Sequence, residues 1–365
     1  MKNNNFWEEK DVNYRTLKAD ELSRPTKETS LPFVIESINN CSFDFLYDFA
    51  KRHKAVLRQL LAKHGAILFR GFDITEPEQF KAIMSTFTKK LSQEYKGIAP
   101  RKHVTGNVFT STEVTDHAIL PPHSEMAYAY QRPGIVGFYC QIAPSIYGET
   151  PLYNCSSVYN ALSKECLDLL DKGIQYVRYH PHHWSKFFFK TGATWPQSFS
   201  TEDKKEVEKS LEAAGFDYVW SKNDELEIIT YPPAFITHPL TKVKCINVLF
   251  SHPINEFKTF NIFKQRYPTL LRYMIKIIAT LITLRGRGIG LTKLYNLNGS
   301  PLPRHIIKEL HEAFWDHSVI FPWKAGDILA VDNIIAAHGR MNTTGPRRIL
   351  VCLGDMYTVE KEGNS

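Results

Sequence analysis

Gly326-Asp327-Ile328-Leu329-Ala330-Val331-Asp332-Asn333 runs on through Ile334-Ile335-Ala336-Ala337 to His338-Gly339-Arg340. An apolar run of strand length, bounded by Gly-Asp on one side and Asp-Asn on the other, is the pattern of a buried β-strand. His338 follows that strand's end, and Gly339 allows the backbone to turn close beside it. Far upstream, Pro121-Pro122-His123-Ser124-Glu125 sets an imidazole and a carboxylate two residues apart. On an extended segment both point to the same face, as two ligands of one ion must.

Two histidines and one carboxylate on a β-scaffold make the facial triad of non-haem iron(II) oxygenases, which leaves coordination positions open for co-substrate and dioxygen. Gly345-Pro346-Arg347-Arg348-Ile349-Leu350 follows His338 closely and puts two guanidiniums at the start of another apolar strand. Alternation sends one of them inward. A buried, permanently charged guanidinium needs an anion, and a dicarboxylate such as 2-oxoglutarate supplies one by bidentate pairing. Spacing leaves the choice between Arg347 and Arg348 open.

Around these motifs the chain divides into helices early and strands in the middle and late. Residues 1–30 are polar and read as a lead-in; one domain is expected over 31–358, with a tail at 359–365. Apolar residues from Phe43 to His64 recur at helical spacing, and Gly65 stops the pattern as a C-cap does. Ala66 to Arg70 reads as a buried strand, and Thr75-Glu76-Pro77-Glu78 opens a second helical stretch carrying Phe80, Ile83, Met84 and Phe87. Residues 100–160 change to short β-rich runs punctuated by proline and glycine. Lys204 to Ala214 has a helical pattern, whereas Leu226–Ile229 and Lys244–Phe250 read as strands. A basic, helical insertion is expected at about 257–297, carrying Arg266, Arg272, Lys276, Arg285, Arg287 and Lys293. The fold class is therefore α+β, built around a β-sandwich or small barrel with flanking helices and a helical insertion between core strands.

Composition narrows the function. The 365 residues are 43% hydrophobic and carry a formal charge of +7, enough for attraction to acidic partners and short of a nucleic-acid-binding balance. Six cysteines without a Cys-x-x-Cys pair argue for free thiols in a reducing compartment. The N-terminus has neither a signal-peptide core nor a transit-peptide bias, so a cytoplasmic location is expected. The most apolar stretch, 274–284, falls short of the roughly 20 residues a membrane span requires.

The chain resembles the TauD/TfdA-type dioxygenases, on the clavaminate synthase-like and antibiotic-pathway hydroxylase branch. The resemblance rests on Leu31-Pro32-Phe33-Val34-Ile35-Glu36, His64 to Phe72, Pro122-His123-Ser124-Glu125-Met126, Gly148-Glu149-Thr150-Pro151, Phe321 to Asp327, Asp332 to Arg340, and Gly345-Pro346-Arg347-Arg348. It implies a double-stranded β-helix (jelly-roll) core, Fe(II) as cofactor, and 2-oxoglutarate and O2 as co-substrates. It makes His123, Glu125 and His338 the catalytic iron ligands, with Arg348 gripping the distal carboxylate of 2-oxoglutarate and the Thr150 hydroxyl assisting. Many relatives carry Asp where this chain has Glu125; a carboxylate of either kind argues against a halogenase. Sulfonate-binding relatives have a further Arg four residues beyond the 2-oxoglutarate Arg, where this chain has Cys352, which argues against a taurine-like substrate.

The implied reaction couples decarboxylation of 2-oxoglutarate to hydroxylation, desaturation or epoxidation of an amino acid or amino-acid-derived intermediate in secondary-metabolite or antibiotic biosynthesis. The positive balance and the basic segment carry the further expectation of a substrate tethered to an acidic carrier protein. The alternatives are a catabolic dioxygenase cleaving a small acid and a catalytically silent, metal- or ligand-binding jelly-roll. His180-Pro181-His182-His183 lacks an acid or thiol at ligand spacing and reads as loop or pocket wall. Asn333 and Arg340 flank His338 and read either as orienting it or as ordinary turn chemistry. Tyr128 and Tyr130 are candidates to face the site, and His238 and His252 to line the substrate pocket. Asn247 is expected to make a structural hydrogen bond.

Overall fold

The computed structural model describes residues 6–93, 101–111, 119–183, 194–247, 249, 270, 273–274, 277 and 292–361. Its centre is an eight-stranded sheet in the order Val12–Thr16, Phe33–Ser37, Ala66–Arg70, Ile328–Asp332, Gln131–Ile142, Arg348–Thr358, Val108–Thr110, His103–Thr105. Phe33–Ser37 and Ala66–Arg70 run parallel and the other neighbours are antiparallel. A four-stranded sheet, Ser318–Val319, Leu152–Asn154, Ala336–Arg340, Leu120–His123, packs over one face. Together the two sheets form the jelly-roll core.

The strand Ile328–Asp332 is buried throughout because both its faces are covered. Leu329 and Val331 point between the sheets, with Val136, Phe138, Leu152 and Val351. Ile328 and Ala330 point the other way, onto three helices, Phe43–Arg52, Lys54–His64 and Pro77–Phe87. Those helices bury Phe49, Leu57, Leu61, Phe80 and Met84, each side chain contributing about 1.5–3 kcal/mol by leaving water. Gly65 ends the second helix in the left-handed region at φ 75°, its N–H bonded to the Leu61 carbonyl at 2.8 Å. A Cβ there would lie 2.9 Å from Ile335 Cγ2, so packing as well as backbone conformation selects glycine.

Three expectations change. The stretch before residue 31 is part of the fold: Val12–Thr16 is the edge strand of the main sheet, and Phe6 and Val12 are buried against the helices. Its polar residues are engaged, since Arg15 bonds Glu36 at 2.7 Å and Glu21 at 2.5 Å. A third sheet, Asp217–Trp220, Leu226–Thr230, Ile174–His180, Thr292–Asn296, lies beside the core. Its last strand takes up the end of the expected helical insertion. Most of 257–291, including Arg266, Arg272, Lys276, Arg285 and Arg287, is outside the described residues; Leu270, Tyr273, Met274 and Ile277 are helical and exposed. No helix among the described residues is long and apolar enough to cross a membrane.

Candidate active site

Antiparallel pairing brings the two histidines together. His338 and His123 are direct Cα partners between Ala336–Arg340 and Leu120–His123, and their ring centroids are 4.4 Å apart. Gly339 does not make the turn expected of it; it sits within the strand. A Cβ there would lie 2.8 Å from the Leu120 carbonyl oxygen, so glycine permits the close approach of the two strands.

Glu125 reaches the same point by a different route from the extended segment expected. The strand ends at His123, and Glu125 opens a turn. Asn333, at the end of the opposing Ile328–Asp332 strand, locks that turn. Its side chain accepts from the Glu125 N–H at 2.6 Å and donates to the Glu125 carbonyl at 3.0 Å and the Pro133 carbonyl at 2.8 Å. Asn333 thus orients Glu125, where the sequence suggested His338. Asp332 beside it accepts from the N–H groups of Ile334 and Ile335 and pairs with His238 at 3.1 Å. His238 is therefore a support for the strand end, and it is absent from the pocket wall.

Ligand atoms of His123, Glu125 and His338 lie within 4.8 Å of one another, and among the described residues no other group of three such side chains does so. His123 Nδ1 is 2.8 Å from the Pro121 carbonyl, which can only accept, so Nδ1 carries the proton and Nε2 is left as the donor atom. Burial holds the His123 imidazole down to about pKa 4, hence neutral at physiological pH. Burial would raise the Glu125 carboxyl, but Arg101, whose Nη2 donates to it at 2.6 Å, and His338 outweigh burial and hold it well below the usual carboxylate range. A neutral His123, a second imidazole and an ionised carboxylate gathered within ligand distance fit a divalent first-row metal. Arg101 had no sequence signal; the fold brings it in from an irregular segment.

A pocket opens over His123 and His338. Its wall includes Phe138, Thr150, Arg340, Arg347, Ile349 and Ser111. Arg347, and not Arg348, is the inward guanidinium. Ile349, Val351 and Leu353 face the space between the sheets, and Leu350 and Cys352 the helices. Arg347 shares the first parity and Arg348 the second, which leaves Arg348 exposed at the strand's start, where a bulge interrupts pairing. The pocket wall thus carries Arg347, where the resemblance implied Arg348. Arg347 donates to the Gly148 carbonyl at 2.8 Å and to the Thr150 hydroxyl at 3.4 Å, and burial, followed by the Arg340 charge, depresses its pKa. A dianion would relieve that cost. Four residues beyond Arg347 stands Val351, so no second guanidinium occupies the comparable position.

Other candidates lie elsewhere. His180 ends a strand of the third sheet, and His182 stacks on Trp195 at 5.1 Å. Tyr130 accepts from the Tyr231 N–H, and Asn247 bridges Arg132 and the Pro233 carbonyl, the structural bond expected of it. His252 is outside the described residues.

The profile of the family described as "Taurine catabolism dioxygenase TauD, TfdA family" matches residues 26–353. The chain belongs to this family. It is an iron(II)- and 2-oxoglutarate-dependent dioxygenase, with O2 as the second co-substrate. The chain is 28% identical over 332 residues to the dapdiamide synthesis protein DdaC of Enterobacter agglomerans, covering 91% of this chain and 93% of that one. It is 26% identical over 342 residues to a clavaminate synthase-like protein of Arabidopsis thaliana, covering 92% of each. Among solved structures, PvcB of Pseudomonas aeruginosa superposes with a TM-score of 0.53 at 12% identity, over 95% of this chain and 92% of PvcB. PvcB is described as an Fe, alpha-ketoglutarate dependent oxygenase from an isonitrile synthetic pathway. At that identity the likeness shows the fold, and it agrees with the two-sheet core.

Proposed function

We propose that the chain oxidises an unactivated C–H bond, or the corresponding alkene, of an amino acid or amino-acid-derived intermediate in secondary-metabolite or antibiotic biosynthesis. His123, Glu125 and His338 hold Fe(II). Arg347, helped by Thr150, takes the distal carboxylate of 2-oxoglutarate. The observation that carries this reading is the meeting, at one pocket, of His123 and His338 from a three-ligand cluster with a half-buried guanidinium hydrogen-bonded to neutral groups. Bound iron supplies the activation of O2 that couples decarboxylation of 2-oxoglutarate to substrate oxidation. The protein orients both carbon substrates and excludes water.

The likeness to DdaC over most of both chains supports a biosynthetic substrate. The +7 balance and the basic segment support delivery on an acidic carrier protein. The test is succinate release with Fe(II) and 2-oxoglutarate across free amino acids and carrier-bound aminoacyl groups, with products read by mass for gain of one oxygen or loss of two hydrogens. Equal rates for free and tethered substrate would remove the carrier. Metal binding without succinate release across the panel would favour the catalytically silent reading.

A further inference from the structure

Arg178 lies at the middle of the third sheet, paired in register with Ile228 on one side and Thr292 on the other. Along its strand Ile174, Tyr176, Arg178 and His180 share the inward face, so the core-facing row passes from apolar to cationic. Arg178 is 4% exposed. The Tyr128 ring lies 4.2 Å beneath its guanidinium and the Phe216 ring 5.3 Å away. Its Nε has no hydrogen-bond acceptor among the described residues, and the Tyr128 side chain is the only group there that supports its charge. Burial of a guanidinium is ordinarily offset by a carboxylate. Here none is present among the described residues: aromatic rings take the faces of the fork, the Tyr128 side chain hydrogen-bonds it, and the buried Nε–H is left for an anion.

Position gives this arrangement a purpose. Tyr128 is three residues past Glu125, at most about 11 Å along the backbone. Two successive turns, Ala127 N–H to the Ser124 carbonyl and Ala129 N–H to the Met126 carbonyl, wind that segment back on itself. The Arg347 pocket, where 2-oxoglutarate is assigned, does not include Arg178 or Tyr128. We propose that Arg178 binds a carboxylate of the organic substrate and so selects substrates bearing a free acid group; this rests on the reading of the site as an amino-acid oxygenase.

The test uses the full chain with Mn(II) and N-oxalylglycine at saturation, so that the metal and the 2-oxoglutarate position are filled. Thermal unfolding is followed with propionate and 3-phenylpropionate and with their uncharged amides. Expected is a rise in Tm with the acids only, abolished in Arg178→Met and partly kept in Arg178→Lys. Without added acid, Arg178→Met should unfold at the wild-type temperature or above it, because an uncompensated buried cation has been removed. No acid response in the wild type, an equal response to the amides, or an undiminished response in Arg178→Met would overturn the proposal. A fall in Tm for Arg178→Met together with no acid response in the wild type assigns Arg178 to packing alone. A silent succinate panel alongside an intact acid-only response would instead sink the amino-acid reading and leave the carboxylate site standing.

Discussion

Asn333 grips the backbone of Glu125 at both ends, accepting from its N–H at 2.6 Å and donating to its carbonyl at 3.0 Å. Two residues 208 apart in sequence are thereby joined as rigidly as neighbours in a strand. Asn333→Ala should lower metal affinity about 10- to 100-fold, with a stability loss of about 1–3 kcal/mol from the stranded amide groups. Metal titration followed by calorimetry checks it; unchanged affinity would show that Glu125 is placed by other contacts.

His123→Ala removes one of three ligands and should abolish both iron binding and succinate release while the sheets stay intact. Far-ultraviolet circular dichroism and metal analysis measure the two separately. Retained activity would mean that a different triad carries the chemistry.

Arg347→Met and Arg348→Met distinguish the two guanidiniums that sequence left open. Loss of a buried charge partner costs about 2–5 kcal/mol, so Arg347→Met should raise the KM for 2-oxoglutarate at least about 30-fold. Arg348, exposed at the strand's start, should leave that KM within about twofold of wild type. The reverse pattern would restore the family expectation.

Gly339→Ala places a methyl group 2.8 Å from the Leu120 carbonyl oxygen. The paired strands must separate, so His123 and His338 move apart. A stability loss of about 1–3 kcal/mol is expected, with weaker metal binding that added metal only partly restores.

His311, buried on the helix Arg304–Asp316, has its pKa lowered to about 4 by burial, against 6.5 when exposed. The unfolded chain therefore binds the proton first as pH falls. Its contribution is complete above pH 6.5 and is lost progressively down to about pH 4, amounting to at most about 3 kcal/mol. His311→Leu should flatten the decline of Tm over that window; an unaltered slope would place the acid sensitivity elsewhere.

Local order was legible in the chain wherever one residue type answers one local demand. The helix stop at Gly65, the buried run Ile328 to Val331 and the helix face of Phe80, Ile83, Met84 and Phe87 follow from periodicity and backbone freedom. The strand Val12–Thr16 was not legible, because an edge strand whose charges are met by ion pairs looks like a polar linker. Strand Ile174–His180 escaped for a related reason, since its inner face mixes Tyr176, Arg178 and His180 with apolar residues.

By itself the sequence determined the residue types of the site, the family and the order of the motifs, since two imidazoles, a carboxylate and a guanidinium are chemical identities that folding does not alter. Only the tertiary structure decided that His123 faces His338, that Asn333 and Arg101 hold Glu125, and that Arg347 turns inward. These are relations across antiparallel pairs and a β-bulge. A one-residue change of parity reverses which side chain reaches the pocket, and no local pattern encodes it.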